Sequence, residues 1–159
     1  MHRRVLIAAL LALPLSGCSL VALLDVSGTG AAPVFSLRTP GTFRKPPLPF
    51  PGSLAVYEVG PDKSRRAVWR LFAQRASQLP ADARLVYGGL PQGVAASASD
   101  AEPLRPGGVY QVQVSGMGYR GEADFAVGAE GQLLTPGRNE RTEDFWRRIW
   151  ALAPQNTDR

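Results

Sequence analysis

The sequence predicts a mainly β protein, a small antiparallel β-sandwich with a carboxy-terminal amphipathic helix. Three observations carry that expectation. Between residues 54 and 134, apolar and polar residues alternate with a period of two in short runs. Turn residues separate the runs, and the 159-residue chain holds 17 glycines and 14 prolines, which favours many turns over long helices. Beyond residue 139 the apolar period becomes that of a helix. At this length the chain is one domain with appendages. Its expected divisions are an export signal over 1–17, a Pro/Gly-rich tether over 18–52, the sandwich over 53–135, the helix over 139–154 and a disordered tail over 155–159.

The chain opens MHRRVLIAALLALPLSGC. Arg3 and Arg4 make a positive end, residues 5–15 an apolar core, and Pro14 breaks the helix near its exit. The 11 apolar residues, at about 1.5 Å each, reach roughly 16 Å, short of the ~30 Å hydrocarbon core of a bilayer. The alternative is an uncleaved anchor over residues 5–24, because apolar residues resume at Leu20. Either way the positive end stays in the cytoplasm and the body faces away from it.

The only cysteine, Cys18, follows Leu15, Ser16 and Gly17. This run resembles the lipobox of bacterial lipoproteins: leucine, a small residue, glycine or alanine, then cysteine. The resemblance implies a diacylglycerol thioether on Cys18, cleavage by a dedicated signal peptidase between Gly17 and Cys18, and acylation of the new amino group. Two or three acyl chains, at about 0.8 kcal/mol per buried methylene, make a durable anchor where one chain does not. In such lipoproteins an aspartate after the cysteine favours inner-membrane retention. Ser19 stands there, so the resemblance implies the outer membrane, with the domain facing the periplasm.

Residues 25–52 hold six prolines and show no convincing period. Prolines at 46, 47, 49 and 51 favour an extended polyproline course, the property of a semi-rigid spacer. The run FRKPPLPFP also has the composition of a ligand for an aromatic groove.

In the body, strands are expected over 54–59, 67–73, 84–88, 109–115 and 119–127. Trp69 and Leu71 share a face, as do Leu85 and Tyr87. Tyr110, Val112 and Val114 point inward and Gln111 and Gln113 outward; Phe125 and Val127 point inward and Arg120, Glu122 and Asp124 outward. The stretch PLRPGGVYQVQVSGMGYRGEADFAV, through Leu104, Pro106, Gly107, Tyr110, Val112 and Val114, resembles the late strands of fibronectin type III and related immunoglobulin-like domains. The resemblance implies an immunoglobulin-like sandwich, with Trp69 as its early core tryptophan. Residues 54–128 are short for one, and 94–100 make a poor strand.

In the tail, Thr142 is positioned to cap a helix with Glu143 and Asp144 in its first turn. Phe145, Trp146, Ile149, Trp150, Leu152 and Ala153 gather on one face, with Arg147 and Arg148 off it, and Pro154 ends the segment. That face either packs on the sheet or brings Trp146, Trp150, Arg147 and Arg148 to a membrane or a partner. A helix this short docks on something, because it is marginal alone in water.

The residues supply little for catalysis. The only histidine is His2, so no Ser-His-Asp or Cys-His constellation and no ordinary zinc site can form in the body. Lys63 beside Ser64, and Glu122 with Asp124, are the remaining sets, and both read as solvated charges. The net charge of +5 is mild and not interleaved with aromatics, which argues against nucleic acid. The expectation is a non-catalytic envelope module without a cofactor. Its partners are membrane lipid through Cys18 and an envelope protein or an anionic envelope polymer. An accessory subunit of a larger assembly and an envelope hydrolase are the alternatives.

Overall fold

The computed structural model describes residues 20–21, 23–38, 48–49, 52–74, 78–79, 84–116 and 119–152. The strands are β1 (Leu20–Val21), β2 (Leu23–Gly28), β3 (Pro33–Arg38), β4 (Leu48–Pro49), β5 (Ser53–Val59), β6 (Arg65–Ala73) and β7 (Gln78–Leu79). They continue as β8 (Arg84–Val86), β9 (Ala96–Ala98), β10 (Val109–Gly116), β11 (Tyr119–Val127) and β12 (Leu133–Leu134), before helix α1 (Thr142–Leu152).

The large sheet runs β1-β11-β10-β5-β6-β9, with β12 also on β11; the second runs β2-β3-β8, and β4 pairs with β7. All pairings are antiparallel except β1 with β11. With β2, β3, β5, β6, β8, β10 and β11 taken as strands A, B, C, C′, E, F and G, the two sheets are A-B-E and G-F-C-C′, the strand order of immunoglobulin-like sandwiches.

Alternation sends Leu54, Val56, Leu71, Val112, Val114 and Phe125 of the large sheet against Phe35, Leu37 and Leu85 of the small one. On β6 the register against β5 shifts between Val56 and Tyr57, so Val68 is an extra residue and both it and Trp69 are buried. Trp69 therefore lies in the core from the strand next to C rather than from an early strand. Its ring meets Phe35 at 6.5 Å and the edge of Tyr87 at 5.3 Å. Tyr110, second in β10, turns its hydroxyl back across the preceding corner to accept from the Arg105 amide at 2.7 Å. Immunoglobulin-like sandwiches tie this corner in the same way.

The tether expected over 18–52 is corrected by its first half. Residues 23–38 are β2 and β3, with Phe35 fully buried and Leu24 and Val26 packed on the core. Pro33 opens β3, where a strand tolerates proline, and its carbonyl accepts from the Tyr87 amide at 2.9 Å. These two strands also supply the length that 54–128 lacks. The β2–β3 turn docks on the turn after β11 so closely that a Cβ on Gly30 would stand 2.3 Å from the Gly131 carbonyl oxygen. The poor strand expected within 94–100 exists as β9, at the edge of the large sheet beside β6. The prolines at 40, 46, 47 and 51 lie outside the described residues.

Helix α1 covers the outer face of the large sheet, burying Phe145, Trp146 and Ile149 against Val59, Val109 and Ala126. Leu152, expected on the packed face, is instead exposed. No described helix is long and apolar enough to cross a membrane.

Candidate functional site

Leu15, Ser16, Gly17, Cys18 and Ser19 lie outside the described residues. The neighbouring chain is described from Leu20, which pairs with Tyr119 at the start of β11. Leu20, Val21, Leu23 and Leu24 are strand residues, so the apolar run cannot continue as a helix to residue 24. The 15 residues over 5–19 would reach about 22 Å as a helix, less than the ~30 Å a span needs.

Beneath α1 the outer face of the large sheet carries a buried polar hub that the sequence placed in solvent. Asp124 is 8% exposed and Gln111 2%. Asp124 Oδ1 accepts from Gln111 Nε2 at 3.1 Å and from Trp146 Nε1 at 3.2 Å, and its Oδ2 accepts from the Thr142 hydroxyl at 2.9 Å. Gln113 Nε2 donates to Gln111 Oε1 at 2.8 Å and carries the ladder outward. Thr142 thus spends its hydroxyl on Asp124 rather than on capping, and the Arg141 carbonyl takes the first helical amides. Trp146 is buried and bonded here, which removes it from lipid or partner contact. Arg147 pairs with Asp144, and Arg148 makes two 2.8 Å bonds to Glu140.

Trp150 reaches past the hub, its ring 6.0 Å from that of Trp146, to one wall of a cleft of about 490 Å³. The cleft lies at the end of the sandwich formed by the β5–β6 turn and the corner before β10. Glu58 sits in its floor between two guanidiniums: Arg66 donates to Glu58 Oε2 at 2.7 Å, and Arg105 to Oε1. Burial pushes the Glu58 carboxyl up, but hydrogen bonds and charge from Arg105 and Arg66 outweigh it and hold it below the ordinary glutamate value. The hydrogen bonds that Arg66 donates to the Glu102 and Glu58 carboxylates in turn raise Arg66, and the one that Arg105 donates to Glu58 raises Arg105. The cluster is a set of paired, ionised side chains with an indole beside it. The sequence analysis did not single out Glu58, Arg66 or Arg105. One signal was present: Glu58 shares the inward register of Leu54 and Val56, an odd place for a carboxylate without a partner.

The catalytic candidates are held apart. Ser64 donates its hydroxyl to Asp62 at 2.6 Å, while Lys63 pairs with Glu143 at 2.8 Å across the turn. Among the described residues no group of three or more His, Cys, Asp or Glu stands ready for a metal ion. No protein-family model matches the sequence, and no curated protein matches it.

Proposed function

We propose that the chain is a bacterial envelope lipoprotein, held by acyl chains on Cys18 and acting as a non-catalytic binding or structural module at the periplasmic face of the outer membrane. One observation carries the reading: the export signal ends in Leu15-Ser16-Gly17-Cys18, and a β-sandwich begins at Leu20. A signal that must be removed and a domain that must fold meet within two residues of the cysteine. The short helical reach left before Leu20 favours cleavage over an uncleaved anchor. The strand order and the Tyr110 corner support likeness to fibronectin type III domains. The cleft at Glu58, Arg66, Arg105 and Trp150 is the surface it offers to an envelope protein or anionic polymer.

The test is the intact mass of the protein extracted from membranes. A polypeptide beginning at Cys18 with diacylglyceryl and acyl groups is expected, and Cys18→Ala should leave an unprocessed, unlipidated chain. A mature chain that starts elsewhere, or carries no lipid, refutes the proposal.

A further inference from the structure

If Cys18 carries the anchor, as proposed above, strand direction decides which end of the sandwich meets the lipid. An extended chain spans at most about 3.6 Å per residue, so the Cα of Cys18 lies within about 7 Å of that of Leu20. No spacer intervenes. Leu20 pairs with Tyr119, where β11 begins, and β2 starts at the same end with Leu23. The register Ser115–Ser53–Phe72–Ser97 crosses the large sheet at that level. The Glu58 cleft, the 60–64 turn and the turn after Val127 lie at the other end. The nine residues of β11, at about 3.4 Å each, separate the two ends by roughly 27 Å.

The anchored end has the chemistry of a surface that rests on anionic lipid. Phe72 and Leu23 are 46% and 47% exposed there. Arg84 is exposed with Leu23 on the outer face of the small sheet, and Arg120 and, two residues further along β6, Arg70 with Phe72 on that of the large sheet; Asp25 and Glu122 are the carboxylates at these levels. β3 ends and β5 begins at this end. The far end instead neutralises itself, Glu58 and Glu102 pairing with Arg66 and Arg105. Apolar side chains among arginines match the boundary between acyl chains and phosphate headgroups, where guanidinium also binds phosphate in a planar fork.

We infer that the sandwich stands directly on the bilayer, with Leu23, Phe72, Arg84 and Arg120 in an anionic headgroup layer, and turns the Glu58 cleft away from the membrane. The membrane is therefore a partner of the folded body as well as of the acyl chains.

The test uses the lipoprotein purified from membranes and placed in vesicles of phosphatidylglycerol and phosphatidylcholine, some lipids carrying a quencher at the headgroup. With Cys18 consumed by its thioether, Ser115→Cys or Glu130→Cys gives a single site for a fluorophore, and Ser97→Cys replaces Ser115→Cys should that variant misfold. Quenching of the label at 115 or 97, with none at 130, is the expected result. Quenching at 130, or at neither end, overturns the orientation. Arg84→Glu combined with Arg120→Glu should lower the ratio of docked to undocked protein by about fivefold per residue, with the loss confined to anionic vesicles. An unchanged ratio overturns the headgroup contact. Intact mass, read on the same preparation, separates the two readings. An unlipidated chain refutes the anchoring and the inference together, whereas a lipidated chain with the wrong quenching pattern refutes the inference alone.

Discussion

Replacing Asp124 by alanine should detach helix α1 from the sheet. The substitution takes the acceptor from two donors on buried residues, the Gln111 amide and the Trp146 indole, and from the Thr142 hydroxyl at the helix start. A buried donor left without a partner costs about 1–3 kcal/mol, so the two together predict a loss of about 3 kcal/mol. That is a large share of the ~5–15 kcal/mol that stabilises a typical domain, and it corresponds to a fall in Tm of roughly 10 °C. Asp124→Asn keeps an oxygen for the amide and the indole, and the Thr142 hydroxyl can rotate to accept from the new NH2 group. It should cost under about 1 kcal/mol. Urea denaturation, followed by near-ultraviolet circular dichroism and tryptophan emission, measures both. A double-mutant cycle with Trp146→Phe should give a coupling of about 1 kcal/mol, as expected of residues in one hydrogen-bond network. Equal losses for Asn and Ala, or a loss below about 1 kcal/mol for Ala, would show that the hub does not hold the helix.

Phe35→Ala should cost about 3–5 kcal/mol, because its buried ring packs 6.5 Å from Trp69 and 5.9 Å from Phe125; a neutral result by urea melts would return residues 23–38 to the role of a linker. Gly108→Ala puts a Cβ 2.4 Å from the Tyr110 hydroxyl and should cost about 1–3 kcal/mol by forcing that ring from its corner, read as a drop in the urea midpoint. Glu140 titrates at about 2 rather than its ordinary 4.5, because Arg148 and the Gly137 amide bond its carboxylate. The stability it lends is complete above pH 4.5 and lost as the pH falls toward about 2; Arg148→Gln should return its NMR-detected titration toward 4.5.

Much of the large sheet was legible because period-two alternation names a face without reference to anything distant. Tyr110, Val112 and Val114 point inward as their spacing requires. The same rule shows where it ends. Asp124 and Gln111 do lie on the outward face, but alternation does not say what lies over that face, and here a helix 18 residues further on covers it. Strands β2 and β3 were missed for a different reason. Leu24 and Val26, then Phe35 and Leu37, alternate properly, yet Gly28, Gly30 and Pro33 between them have the composition of a linker. Only the Gly30 approach to Gly131 and the place of Pro33 at the head of a strand show that those residues serve a tight turn and a strand start. The Glu58 cleft was beyond reach because Arg66 and Arg105 are 39 positions apart in the chain, and only the fold brings both to one carboxylate.

The outer margin of β11 is occupied twice, by β1 at Tyr119 and Arg120 and by β12 at Ala126 and Val127. A foreign strand seeking an open ladder would find only the short stretch between them, over residues 121–125, too brief to template stable self-association. One of those two guards is the first strand in the chain and the other the last. Copies of the chain are thereby kept from zipping together along this margin of β11.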